Sequence, residues 1–193
     1  MWAIAAPHPA GLQDETVKQI GTVFSGRVIT VSKEQVLLPN GNVADYEIVH
    51  HPGGAAVVAL DDENRVCLLH QFRPAAGGWV WELPAGRLEP GEPAALTARR
   101  ELVEEAGREA TVWQDLGFMW SSPGVFDERI HLFLARQLRV VPAHHEPHEV
   151  LEAHWVALPE ALERAMNGAI LDSKTIVGLM RAASRLGMTL KAP

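Results

Sequence analysis

The chain has 193 residues, enough for one compact domain with a real core, or one domain with an appended element. Its net charge of -7 argues against a nucleic-acid partner, which would want a basic face, and its apolar (47%) and charged (21%) fractions are ordinary for a water-soluble fold. Cys67 is the only cysteine, so no disulfide can form within the chain, and no apolar run approaches the roughly 20 residues of a membrane helix.

The opening residues, MWAIAAPHPAG, lack a basic leader region, and Pro7 and Pro9 break the short apolar stretch. A cytoplasmic location is therefore expected, with no membrane partner. Residues 1 to 20 form a weakly patterned lead-in. Thr22 to Val31 is rich in β-branched residues and reads as a strand, Pro39-Asn40-Gly41-Asn42 as a turn, and Ala44 to His50 as the next strand. Residues 22 to 50 thus read as a small antiparallel β unit. The cluster His51-Pro52-Gly53-Gly54 separates it from the rest of the chain, so the expected division is 1–50 and 51–193.

Ala55 to Leu60 and Arg65 to Gln71 read as two short strands joined by a hairpin-like loop, Asp61-Asp62-Glu63-Asn64. Cys67, inside the second, reads as a small buried strand residue rather than a reactive thiol. Trp79 to Leu83 is a third strand leading into Pro84-Ala85-Gly86. A helix comes next, with Pro93 suited to its first position and Gly107 to its exit. At about 100° per residue, Glu101, Glu104 and Glu105 fall on one face, while Ala95, Ala98, Leu102 and Ala106 form an apolar stripe. Like charges at these spacings cost a few tenths of a kcal/mol per pair, so a crowded acidic face opposite a packed one points to a bound cation. A solvated acidic surface is the simpler reading of such a run, but the glycine and proline positions flanking it argue otherwise.

Beyond the helix, Thr111 to Trp120 and Arg129 to Arg136 read as strands flanking Ser121-Ser122-Pro123-Gly124. Residues 141 to 149 form a polar loop whose His144, His145 and His148 read as solvated rather than metal-binding, with no cysteine beside them. Val150 to Val156 is a further strand and Pro159 to Met166 a short helix. Asp172 or Ser173 can cap a last helix with the stripe Ile176, Leu179, Met180 and Ala183. Strands followed by helices at this spacing imply a mixed sheet with helices on its faces.

The pattern G-x5-E-x7-R-E-L-x-E-E-x-G is met at Gly86, Glu92, Arg100, Glu101, Leu102, Glu104, Glu105 and Gly107. It resembles the Nudix box, the signature of hydrolases acting on a nucleoside diphosphate linked to another group. The family pattern ends in an aliphatic residue where this chain has Arg108, beyond every acidic position. The resemblance implies an α/β fold, a Nudix-type α/β/α sandwich over about residues 50–187, here with an N-terminal antiparallel β unit. It further implies metal ligation by Glu101, Glu105 and the Ala85 carbonyl, with Glu104 close by. Arg100 would orient a glutamate by a bidentate pair, and Glu92 would brace loop and helix. Glu101 and Glu105, one turn apart, can share or bridge cations about 3.5–4 Å apart. Mg2+ is the default cofactor and Mn2+ its substitute.

Segments outside the box resemble the ADP-ribose pyrophosphatase branch: Trp81-Glu82-Leu83-Pro84-Ala85-Gly86, Gln71-Phe72-Arg73-Pro74, Pro123 at 16 residues past Gly107, Asp127-Glu128-Arg129, and Asp172-Ser-Lys-Thr-Ile176. In that branch a glutamate before the strand at Val150 completes the site as ligand or general base. Glu149 aligns best, with Glu146 as the substitute. Arg73 is the first choice for a phosphate contact, with Arg27 and Glu82 behind it, and an adenine could stack on Tyr46, Trp2 or Trp79. The resemblance also implies a homodimer built through residues 22 to 50. The expected function is Mg2+-dependent hydrolysis of ADP-ribose to AMP and ribose 5-phosphate. The alternatives are another nucleoside diphosphate derivative as substrate, or a non-hydrolysing ligand sensor of the same fold.

Overall fold

The computed structural model describes residues 17–144 and 149–188, so Trp2, His145, Glu146 and His148 lie outside the described residues. The chain divides into two compact units. One holds the residues up to His51 together with Gly124–Asp127, and the other holds the rest.

The first unit is an antiparallel meander of β1 (Val17–Ser25), β2 (Thr30–Leu37) and β3 (Val43–His50). The single strand expected over Thr22–Val31 is in fact the end of β1, a reversal and the start of β2. At the reversal Gly26 N–H donates to the Ile29 carbonyl at 2.9 Å, and a Cβ on Gly26 would lie 2.8 Å from the exposed Phe24 ring, which would have to shift to admit it. β-branched composition marks extended backbone but carries no information on where it turns. The Asn40-Gly41 turn forms as read, with Gly41 at φ 82°.

β2 buries Ser32, Glu34 and Val36 on one face. Two of these are polar, and a histidine satisfies both. His50 Nδ1 lies 2.6 Å from Asp127 Oδ2, while its Nε2 lies 3.0 Å from Glu34 Oε1 and 2.7 Å from Ser32 Oγ. The distances match those of a Ser-His-Asp triad, but the chemistry does not. Ser32 is fully buried and donates its proton to Glu34 at 2.7 Å, so it cannot act as a nucleophile. Burial opposes the charge on His50, yet Asp127 and Glu34 outweigh it and raise its pKa. The ring bridges β2, β3 and the 124–127 segment, and the two carboxylates favour its charged form. A group whose folded pKa is raised stabilises most below its unfolded value and loses that contribution as pH rises through the folded one. The stability gap between the parent and His50→Gln is therefore expected to be widest near about pH 5.5 and to shrink toward about pH 9 in thermal melts. A gap that widens with pH would refute the charged bridge.

The second unit contains β4 (Gly54–Ala59), β5 (Arg65–Arg73), β6 (Gly78–Glu82), β7 (Ala85–Arg87), α1 (Ala94–Ala106), β8 (Arg108–Trp120), β9 (Arg129–Val140), β10 (Leu151–Ala157), α2 (Leu158–Met166) and α3 (Ser173–Arg185). One sheet runs β7-β4-β9-β8, with β4 and β9 parallel, and the other runs β10-β5-β6. The hairpin expected from Ala55–Leu60 and Arg65–Gln71 is not a pair within one sheet. The turn at 61–64 forms, but the two strands then diverge into different sheets. β4 is apolar on both faces, and such a strand is stable only in the interior of a sheet covered on both sides.

That coverage is the α/β/α sandwich. Ala55, Val57 and Ala59 pack with Ala98 and Leu102 of α1, whereas Ala56, Val58 and Leu60 pack with Leu158 of α2 and Leu179 of α3. Two expected stripes are buried as read over most of their length, Ala98, Leu102 and Ala106 on α1 and Leu179 and Ala183 on α3, with local exceptions. Ala95 is exposed on α1, and on α3 Thr175, Gly178 and Ala182 are buried while Ile176 and Met180 are only half-buried. Alanine and small residues let a helix sit close to the sheet, so the packed ridge follows size as well as apolarity.

Candidate active site

The site is built on the turn from β7 into α1. Pro93 has extended ψ (135°) and is the N-cap, so the helix starts one residue later than expected; Gly107 closes it in the left-handed conformation at φ 58°. Glu92 braces the entrance. Its Oε2 accepts from Thr97 Oγ1 at 2.8 Å and from Glu89 N–H at 3.2 Å, and Arg100 bonds both its oxygens at 3.3 Å. Arg100 chiefly holds the Glu92 carboxyl low, at about 2. The same guanidinium donates to Glu101 Oε1 at 2.6 Å, Glu104 Oε2 at 3.1 Å and the Arg87 carbonyl at 3.2 Å. One arginine thus sets the rotamers of three glutamates.

Glu101 and Glu105 do not lie on a solvated face. They are 6% and 2% exposed, and both reach across to the backbone of β7. Glu105 Oε2 accepts from Ala85 N–H at 2.7 Å. Glu101 presses against Gly86, where a Cβ would sit 1.8 Å from Oε1. Gly86 is therefore a steric requirement, since any side chain would expel the carboxylate. Burial pushes the Glu101 carboxyl up to about 7, with Arg100 opposing and the charges of Glu104 and Glu149 adding to it. Burial, then Glu101 and Glu149, raise Glu105 well above the carboxylate range against the Ala85 N–H and Arg73.

Arg73, at the end of β5, donates from Nε and Nη2 to Glu82 Oε1 and Oε2, both at 2.9 Å. Its charge reaches Glu105, so it borders the acidic cluster. The structure thus brings Arg73, Glu82, Ala85, Arg100, Glu101, Glu104, Glu105 and Glu149 together. Arg27 and Tyr46 belong to the other compact unit, where both are exposed. Trp79 stacks on His70 with centroids 4.9 Å apart and is 45% exposed. A cavity of about 590 Å³ runs along Arg99, Val103, Glu104 and Trp113, but neither Glu101 nor Glu105 lines it. Cys67 is buried and its thiol is pushed up to about 12, mainly by that burial, so it is inert. Arg108, the departure from the box pattern, caps the exit of α1 instead, donating to the Gly107 carbonyl at 2.9 Å and lying 5.1 Å over the Trp155 ring.

Among the described residues no three carboxylate, imidazole or thiol side chains converge on one point at metal-ligand distance. The fit to a hard divalent cation rests on the donors themselves. Two carboxylates are buried beside the β7 backbone, and burial is the main reason that each resists ionisation, with the charge of Glu101 adding to it at Glu105. A nearby cation would remove that penalty. Sequence reasoning missed Lys174, whose Nζ lies 2.5 Å from Glu82 Oε2. The signal available was its place in the first turn of α3, where the helix dipole disfavours a cation.

A glutamate pair is thus held against a glycine turn within an α/β/α sandwich. The NUDIX domain family model matches residues 50–174, and the chain belongs to the Nudix family of hydrolases. It is 39% identical to the ADP-ribose pyrophosphatase of Mycobacterium tuberculosis over 163 residues, 82% of this chain and 78% of that one. It is 38% identical to the methanol dehydrogenase activator of Bacillus methanolicus over 169 residues, 86% and 91% of the two chains. A crystal structure of an ADP compounds hydrolase superposes with a TM-score of 0.75 over 89% of this chain and 95% of that one, at 19% identity, a likeness of fold.

Proposed function

We propose that the protein hydrolyses the diphosphate of ADP-ribose to AMP and ribose 5-phosphate, or that of a related nucleoside diphosphate sugar to its nucleoside monophosphate and sugar phosphate, with Mg2+ as cofactor and Mn2+ as substitute. The observation that carries this reading is the Glu101–Glu105 pair, buried against Ala85 and Gly86 and bordered by Arg73. Glu101, Glu105, Glu149 and the Ala85 carbonyl would hold the cation, which when bound supplies charge neutralisation at the diphosphate and a more acidic water.

The chain's own residues divide the remaining work. Arg73, with Nε and Nη2 on Glu82, offers Nη1 to a phosphate oxygen. Glu149 takes the proton of the attacking water. Arg100 holds Glu101 and Glu104 in place. Arg27 and Tyr46 are assigned to the nucleotide end. The test is a panel of nucleoside diphosphate sugars, dinucleotides and nucleoside triphosphates with Mg2+, scored by monophosphate release. ADP-ribose should lead it, and a panel with no turnover of any diphosphate sugar would refute the reading.

A homodimer through residues 22 to 50 and a cytoplasmic location belong to the same proposal. The N-terminal unit leaves Ile20, Val23, Phe24, Leu37 and Val43 exposed, more apolar surface than a small sheet keeps in water. Among the described residues no helix is long and apolar enough to cross a membrane. Light scattering at micromolar concentration should give twice the 21.1 kDa chain mass, and a fully active monomer would exclude the dimer.

A further inference from the structure

Glu82 is a buried carboxylate holding two cations at once. Its side chain is 4% exposed, and besides the paired contacts from Arg73 it accepts from Lys174 Nζ at 2.5 Å. Lys174 also donates to Asp172 Oδ1 at 3.0 Å. The second oxygen of Asp172 caps α3, accepting from Thr175 N–H at 3.0 Å and from Thr175 Oγ1 at 2.6 Å, while Thr175 Oγ1 accepts from Leu83 N–H at 2.8 Å. Two positive and two negative side chains thus run from the start of α3 to the edge of the acidic cluster.

Within this chain the contacts are unequal. Arg73 uses Nε and Nη2 on Glu82, which leaves the Nη1 edge to other partners, and 40% of its side chain is exposed. Lys174 is 13% exposed and bonds the same Oε2 that Arg73 Nη2 bonds. A carboxylate torsion is broad and roughly two-fold, so a single bidentate partner leaves the pair free to swing together. A second donor on one oxygen, anchored in turn by a helix cap, removes that freedom. Charge follows the same logic, since a buried Glu82 bonded to Arg73 and Lys174 stays ionised despite its burial.

We propose that Lys174 is a positioning residue for substrate, fixing Glu82 between α3 and β5 so that Arg73 presents its free guanidinium edge to the diphosphate. The proposal rests on the reading that Arg73 contacts phosphate. Lys174 itself touches neither substrate nor the acidic pair. Its effect therefore passes through Glu82 and Arg73, and disappears when Arg73 is gone.

The experiment is a double-mutant cycle on the full chain with ADP-ribose and Mg2+, reading kcat and KM separately beside the melting temperature. Lys174→Met should lower kcat/KM by about 10–100-fold, the scale of a misaligned binding group, mostly through KM. Lys174→Arg, which restores a cation to Glu82, should recover most of the loss. In the Arg73→Met background, Lys174→Met should add less than about twofold, because coupled residues are non-additive. Full multiplicative effects in that background overturn the proposal, as does a fall in melting temperature with KM unchanged. If Lys174→Met does not fold, Lys174→Gln, which keeps an N–H donor, carries the same cycle. A wild-type chain that turns over no diphosphate sugar overturns the functional reading and this proposal together. An active wild type with an additive cycle overturns this proposal alone.

Discussion

Glu105→Gln and Glu101→Gln should each lower kcat by about 10²–10⁴-fold, the scale of an essential site group. Both carboxylates are buried, and both are held against β7, Glu105 by the Ala85 N–H and Glu101 by the bare backbone of Gly86. The amide keeps the shape and loses the charge a cation needs. A second readout separates ligation from folding. The Glu101 carboxyl is raised to about 7, against an ordinary value of 4.5. Between those values the folded chain keeps a proton that the unfolded chain has lost, so this group lowers stability as pH rises through that window. Metal-free Glu101→Gln should therefore melt above the metal-free parent at about pH 8 and lose that advantage below about pH 5. Added Mg2+ or Mn2+ should raise the melting temperature of the parent more than that of the variant. Near-normal turnover in both variants, with an unchanged metal response, would remove these residues from the site.

Glu149→Gln is the second substitution with a large expected effect. Its charge adds to the upward shifts of both Glu101 and Glu105, so it lies near the buried pair, two residues before β10. As the group that accepts a proton from water, its loss should depress kcat by about 10²–10⁴-fold and leave KM for ADP-ribose within a few-fold. Glu146, outside the described residues, should matter much less when changed to Gln. If Glu146→Gln proves the damaging change, the base lies one turn earlier in the loop. If neither matters, the helix glutamates and the cation suffice to activate water.

The box was legible because every part of it is local. Gly86 to Gly107 is one turn and one helix, and helical periodicity alone sets Glu101, Glu104 and Glu105 on a shared face with Arg100 beside them. The strand segments of the second unit were legible in outline for the same reason, since β-branched and apolar runs mark extended backbone. Their partners were not. β4 and β5 are joined by a tight turn, yet β4 pairs in parallel with β9 and antiparallel with β7. Only the two-sided packing on α1 and α3 makes that the stable solution.

Sequence by itself determined the family, the acidic helix and its stop at Gly107, because propensity, capping and periodicity act over a few residues. Tertiary structure alone decided that Glu101 and Glu105 are buried rather than solvated, and hence that their charge carries a penalty. It also decided that Lys174 meets Glu82 across 92 residues and that His50 meets Asp127 across 77. Such pairs leave no periodic trace. Each is an ordinary charged residue in its own neighbourhood, and acquires a role only when folding removes the water that would otherwise screen it.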